Sequence, residues 1–153
     1  MFRLLSLFLL IQFLATPAKA QGQGLVFLNF DNVTICSAHE SPPDFDGPSC
    51  QSGSAEDIDP QGTLIWVRTS VDLDATRGPN GEPLSLYLSG KMSSKVYLNG
   101  EFVGTNGTPA EEAASEVTGK MDAEFIPPQC MFRLGTNDVV FLASAHHGYI
   151  NLY

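Results

Sequence analysis

The sequence is short of basic residues, and this shortage excludes two classes of partner. Lysine and arginine number 8 against 17 aspartates and glutamates, which gives a formal net charge of −9. A surface of this sign repels phosphate backbones and anionic headgroups, so neither nucleic acid nor an anionic membrane surface is expected to bind. Catalytic signatures are missing too, since no G-x-S-x-G or H-E-x-x-H sequence occurs. We therefore expect neither an enzyme nor a cofactor.

Long apolar runs are also scarce, and the one that could matter lies at the N-terminus. Arg3 precedes an apolar run from Leu4 to Leu14, and Ala18-Lys19-Ala20 fits a small-x-small cleavage site. The run is too short for a comfortable membrane span, so residues 1–20 are predicted to be a secretory signal peptide. An uncleaved anchor is the alternative. A periplasmic or otherwise extracytoplasmic location follows, with membrane attachment only through a region missing at the C-terminal end.

Cysteine is rare, and its placement predicts one disulfide. Cys36 and Cys50 flank the stretch "SAHESPPDFDGPS", which has little power to order itself. A disulfide between them would stabilise the fold by about 3 kcal/mol in the chain-entropy model. The odd count of three cysteines leaves other pairings open. With this pairing, Cys130 is expected to be a small buried apolar residue.

Helical periodicity is missing as well, and alternating apolar residues predict about seven strands instead. Asn99-Gly100 lies between two such runs and predicts a tight hairpin. Residues 108–120 are expected to form an acidic loop, with one short turn of helix after Pro109 as the alternative. The predicted fold is an all-β antiparallel sandwich of jelly-roll type. Residues 21–60 are predicted to form an N-terminal strand and a surface segment. Residues 61–153 are predicted to form the sandwich, which would be truncated at its C-terminal end. The predicted strands occupy residues 25–30, 63–73, 84–90, 94–99, 101–104, 121–127, 137–145 and the start of 148–153.

Loops on a rigid sandwich are where binding usually occurs, and they supply the candidate ligand-binding residues. The Gly-rich loop "GTNGTP" can approach a ligand closely. The adjacent histidines can donate hydrogen bonds but would point to opposite faces of a strand, which disfavours a shared metal. Asp122 and Glu124 would share a strand face, yet an acidic chain often places carboxylates this way by chance. The candidates are Asn99, Asn106, Asp122, His146 and His147.

Two aromatic residues are candidate platforms for stacking a sugar ring. Trp66 and Tyr97 offer the flat apolar faces that such rings prefer. Both lie inside strand patterns, where a place in the core is the commoner role. For the hairpin that holds Tyr97, turn geometry alone explains Asn99-Gly100, and Val96, Leu98, Phe102 and Val103 are expected in the core.

The ordered set "SSKVYLNGEFVGTNG", "GKMDAEFIPP" and "LGTNDVVFLASAHHG" resembles galactose-binding-like jelly-roll domains. Together with "DPQGTLIWVR" at residues 59–68, it is most similar to the periplasmic N-terminal domains of bacterial membrane-bound sensors of the histidine kinase or diguanylate cyclase type. The resemblance covers residues 59–152. It implies a sensory domain that binds a small molecule or a carbohydrate and passes a signal to an output module. The chain stops at Tyr153 without a transmembrane helix or an output module, so it is expected to be either the N-terminal portion of such a protein or a truncated stand-alone remnant. The alternatives are a carbohydrate-binding module of a glycoside hydrolase and a structural interaction domain.

Overall fold

The computed structural model describes residues 28–38, 41–75 and 83–147. The predicted signal peptide, the start of the first predicted strand and the predicted last strand lie outside these ranges. Within them, eight strands form two antiparallel sheets, and no helix is long and apolar enough to cross a membrane. Chain order gives β1 (Val33–Ser37), β2 (Cys50–Gly53), β3 (Leu64–Leu73), β4 (Leu86–Leu88), β5 (Ser93–Leu98), β6 (Glu101–Asn106), β7 (Ala123–Phe125) and β8 (Gly135–Ser144).

Six strands form the larger sheet, in the order β2-β1-β3-β8-β5-β6, and β4 pairs with β7 in a smaller sheet. The two longest strands, β3 and β8, pair over their full length at the centre. One face of the larger sheet, here called the inner face, packs against the smaller sheet in one apolar cluster. This arrangement confirms the predicted all-β antiparallel class.

Alternation along β3 explains the inner face. Its five predicted inward residues are all buried, and only the hydroxyl-bearing Thr69 among them is polar. Leu86, Leu88 and Phe125 cover this face from the smaller sheet. Fully burying one such side chain stabilises a fold by about 1.5–3 kcal/mol. The other four inward residues of β3 are Ile65, Val67, Val71 and Leu73.

The outer face of the sheet carries a second apolar cluster, which the sequence did not predict. Trp66 is at its centre and is fully buried, with Leu64 and Leu142 beside it. The segment between β1 and β2, residues 38–49 and here called the β1–β2 loop, contributes Phe45 to this cluster. The predicted disulfide between Cys36 and Cys50 is present and closes this loop. A segment predicted to be surface therefore covers part of a core.

The hairpin of β5 and β6 forms as predicted. Asn99 and Gly100 both have positive φ, at 52° and 85°, which is the backbone that a type I′ turn requires. Val96 and Leu98 are fully buried. Phe102, however, is 53 % exposed, so its predicted place in the core is wrong. A register shift in the hairpin between Val96 and Tyr97 changes the alternation along this pair.

Three further features differ from the expectations drawn from the sequence: the first predicted strand, the strands β1 and β2, and the position of Cys130. Leu28–Phe30, the described part of the first predicted strand, forms no strand. Asn29 instead donates its N–H to the Ser70 carbonyl and accepts a hydrogen bond from the Thr69 hydroxyl. Strands β1 and β2 were not predicted. β2 is short and polar, and it forms by pairing with β1. Cys130 is exposed rather than buried, since it lies in a short 3-10 turn, Gln129–Met131, on the surface.

Candidate functional site

An open pocket of about 340 Å³ lies where the edge strands of the two sheets, β6 and β7, face each other. Its volume falls in the range of small-molecule sites. The Phe125 ring packs under β6 at Gly104, where a Cβ would lie 3.2 Å from it, so glycine lets the two sheets approach. The lining is mostly hydroxyl, amide and charged groups from Thr105, Asn106, Gly107, Thr118, Lys120, Asp122, Ala123, Glu124 and Phe125.

Two of the predicted ligand-binding residues, Asn106 and Asp122, line this pocket. The Asn106 amide is already engaged, since it donates to the Lys120 and Met92 carbonyls and accepts from the Lys120 N–H at 2.7 Å. It therefore shapes the pocket wall more than it offers free donors. Asp122 is exposed, has a φ of 55°, and accepts a 2.5 Å hydrogen bond from the Ser89 hydroxyl. Its second carboxylate oxygen is the freer group.

Tyr87, on β4, contacts a pocket residue and was missed in the sequence. It pairs across the smaller sheet with Glu124, a pocket residue, and its ring is 58 % exposed. A hydrogen bond to the Glu124 carboxylate raises the pKa of the Tyr87 phenol. The alternation of leucines in "LSLYLSG" could have shown that Tyr87 is exposed. Leu86 and Leu88 face the core, so Tyr87 must face outward.

The two histidines lie in a different cluster, at the end of β8. Both imidazoles stand 4.0 Å from the carboxylate of Glu116, His146 through Nε2 and His147 through Nδ1. Opposite orientations were expected only if the strand ran straight through both histidines. β8 ends at Ser144 and the backbone bends at His146 and His147, so both rings approach one carboxylate. Glu116 comes from the connection between β6 and β7, residues 107–122, here called the β6–β7 loop. Nothing local in the chain links Glu116 to these histidines, which follow it by 30 and 31 residues.

The hydroxyl beside Glu116 is not open to a ligand. Ser93 is fully buried, and its single O–H is shared between the Val117 carbonyl at 2.7 Å and the Glu116 carboxylate at 3.0 Å. A nucleophile must be accessible to substrate, which this hydroxyl is not. Among residues 28–38, 41–75 and 83–147, no group of three His, Cys, Asp or Glu side chains is placed to hold a metal ion.

Asn99 belongs to neither cluster. It lies at the end of β5 opposite Ser93, so about 17–20 Å of strand separates the two ends. Its amide donates to the Met131 carbonyl and to Asn137 Oδ1, and it accepts from the Asp138 N–H. These bonds hold the hairpin turn against the β7–β8 connection. The structure therefore gives Asn99 a role in the fold.

The two predicted stacking platforms occupy the outer face. Trp66 is fully buried and cannot receive a ligand. Tyr97 is half-buried between Trp66 and Phe102, with ring centroids 5.8 and 5.6 Å away. Together they form an aromatic ladder that stabilises the sheet.

Comparisons with known proteins add nothing to this geometry: no family model, no curated protein and no solved structure matches the chain.

Proposed function

We propose that this chain is a non-catalytic, extracytoplasmic ligand-binding domain, of the sensory type that the sequence resemblance implies. The observation that carries the proposal is the pocket between β6 and β7, in which Asp122 and Glu124 stand beside Lys120. A pocket lined by both signs of charge and by hydroxyl groups suits a small polar ligand.

Three further features support this proposal. The disulfide between Cys36 and Cys50 is typical of an oxidising compartment, in keeping with the predicted signal peptide. The pocket lies between two sheet edges on a rigid core, so a ligand there could bias how the sheets meet. Signal transmission of the sensor type requires such a bias to reach a neighbouring element. We also propose that the fold of the chain is a galactose-binding-like jelly roll.

A thermal-shift screen of the exported chain tests the pocket. The probes are single amino acids, dicarboxylates and monosaccharides, each at neutral pH. A probe at a hundred times its Kd adds about 2.7 kcal/mol to the unfolding free energy, which raises the midpoint visibly. The variant Asp122→Asn keeps the positive-φ backbone and the Ser89 hydrogen bond but removes the charge. It should weaken the shift, whereas Glu101→Gln, on the exposed part of β6, should not.

The outcome that counts against binding at the pocket is equally definite. If no probe shifts the midpoint, or if Asp122→Asn and Glu101→Gln respond alike, the pocket is not the ligand site.

A carbohydrate-binding module is the second candidate, and one observation favours it. Tyr87 presents an exposed ring beside the Glu124 carboxylate, as recognition of a sugar ring requires, while the buried Trp66 does not. Binding of soluble oligosaccharides to Tyr87→Ala and Phe102→Ala compares two exposed aromatics on different faces. Loss of binding only in Tyr87→Ala supports this candidate. Equal binding by both variants excludes Tyr87 as the platform.

A further inference from the structure

Glu116 holds a carboxylate where water does not reach. Its side chain is 1 % exposed. Oε1 accepts a hydrogen bond from the Ser93 hydroxyl at 3.0 Å, and Oε2 accepts one from the His146 backbone N–H at 2.7 Å. Both donors are neutral, and no lysine or arginine in the described part of the chain forms an ion pair with this carboxylate. A buried carboxylate without a cationic partner is unfavourable, so a nearby group that can become positive would stabilise it.

The two groups that can do so are the imidazoles of His146 and His147. The His146 side chain is 8 % exposed, and its Nε2 lies 3.0 Å from the Ala110 carbonyl as well as 4.0 Å from Glu116. The His147 side chain is 49 % exposed, with Nδ1 4.0 Å from Glu116 Oε1. Histidine is the side chain that changes charge between pH 5 and 8. Of the two, His147 can take up a proton and keep part of the imidazolium in water.

Other charges on the surrounding elements are exposed and make no ion pair with either imidazole. The β6–β7 loop itself brings Glu111, Glu112, Lys120 and Asp122. The connection before β3, which hydrogen-bonds to Ala145, brings Asp59. From β5 the contact is the uncharged Ser93. Among the described residues, Glu116 is therefore the acidic group that lies within ion-pair distance of His147.

Glu116 is also joined to the pocket through its own loop. The next residue, Val117, pairs with Thr108 in an isolated antiparallel bridge. Ser93 accepts a hydrogen bond from the Gly119 N–H at 3.2 Å while its hydroxyl contacts Glu116. Gly107 and Thr118, which lie inside this set of bonds, line the pocket. An interaction that strengthens the attachment of Glu116 to the end of β8 therefore also stabilises the pocket wall formed by Gly107 and Thr118.

We propose that protonation of His147 strengthens the attachment of Glu116 and so closes the pocket wall more firmly at acidic than at alkaline pH. As a regulator of binding this rests on the proposed function, but the attachment itself can be measured without any ligand. The direction follows from the charges. The imidazolium is attracted to the buried carboxylate and the neutral ring is not, so the added attachment is present when His147 is protonated and is lost when its imidazole is neutral.

Amide hydrogen exchange of the ligand-free exported chain tests the attachment. The reporters are the amides of Val117 and Gly119, whose acceptors are the Thr108 carbonyl and the Ser93 hydroxyl. After correction for the intrinsic rate, protection should be about five- to tenfold higher at pH 6 than at pH 8, the lower part of the range for coupled sites. His147→Gln should abolish this difference. His39→Gln, which changes the remaining histidine, is the matched control and should retain it.

Equal protection at the two pH values in the unmodified chain overturns the proposal, and so does a difference that survives in His147→Gln. His147 is half-exposed and makes no short hydrogen bond, so this variant is expected to fold. Failure of the proposed function has a separate signature. In that case the protection changes with pH as described, but no probe binds the pocket at either pH.

Discussion

The β1–β2 loop and the β6–β7 loop are both rich in acidic residues, yet different interactions hold them in place. The β1–β2 loop is closed by the disulfide between Cys36 and Cys50 and packs Phe45 on the outer apolar cluster. The β6–β7 loop has no disulfide. It is held by the buried carboxylate of Glu116, by the amide of Asn106 and by close backbone contact at Gly119. The first arrangement depends on redox state, and the second on polar groups that a change of charge can alter.

The largest expected effect comes from opening the disulfide. The double variant Cys36→Ser and Cys50→Ser should lower the free energy of unfolding by about 3 kcal/mol, since it frees the loop in the unfolded chain. Urea unfolding measures the loss, and the fluorescence of Trp66, the one tryptophan of the chain, reports whether the outer cluster opens. Cys130→Ser is the control, because this thiol is free and exposed. A double variant as stable as the control would show that the disulfide does not hold the loop.

A somewhat smaller loss is expected from adding one methyl group to the β6–β7 loop. In Gly119→Ala the new Cβ would collide with the Met92 carbonyl oxygen and lie 2.6 Å from the Asn106 amide nitrogen. Backbone atoms cannot move away cheaply, so we expect a loss of about 2 kcal/mol in urea unfolding. Gly135→Ala is the comparison. That glycine has a φ of 82° but open space around it, so backbone strain alone should cost about 1 kcal/mol.

If Gly119→Ala loses no more stability than Gly135→Ala, the loop adapts and close packing does not hold it. This comparison separates a steric cause from a conformational one within the same fold.

The two loops also differ in how far the sequence could predict them. The disulfide and the Asn99-Gly100 turn were predictable because each depends on residues close together in the chain. The strands β3, β5 and β8 were predictable from alternation. The Glu116 cluster was not, since Glu116 meets Ser93 and His146 at separations of 23 and 30 residues. Only the pairing of β5 with β8 brings those partners together.

The candidate pocket was partly predictable for the same reason. Asn106 was chosen in a predicted loop and Asp122 near the start of a predicted strand, and both line the pocket. Tyr87 was missed, although its outward direction follows from Leu86 and Leu88, because nothing local shows that β4 pairs with β7. Asn99 and Asn106 look alike as loop asparagines, yet their amides are engaged with backbone groups of different segments.

The next smaller loss of stability is expected from removing the Asn106 amide, which holds the β6–β7 loop. Asn106→Ala loses its hydrogen bonds to Lys120 and Met92, and because this site is half-buried we expect a loss of about 1.5 kcal/mol. Exchange of the Lys120 amide should become faster while amides of the β1–β2 loop are unaffected. Asn32→Ala, at an exposed asparagine, is the control and should change neither. Faster exchange in both loops would show that they are coupled rather than independently held.

The smallest effect is expected at the ion pair that borders the β1–β2 loop. Arg68 donates to Asp138 at 2.7 Å, a bond that raises the pKa of Arg68, and its guanidinium lies 5.7 Å from the centroid of the Phe45 ring. Both charged side chains are more than a third exposed, so solvent screens the attraction. Arg68→Gln should therefore cost about 0.5–1 kcal/mol at low salt and less at high salt. Lys95→Gln, which removes a charge from β5 outside this ion pair, should cost less still. A loss in Arg68→Gln that does not depend on salt would mean that the guanidinium acts through its packing on Phe45, and that the β1–β2 loop is held by apolar contact and the disulfide alone.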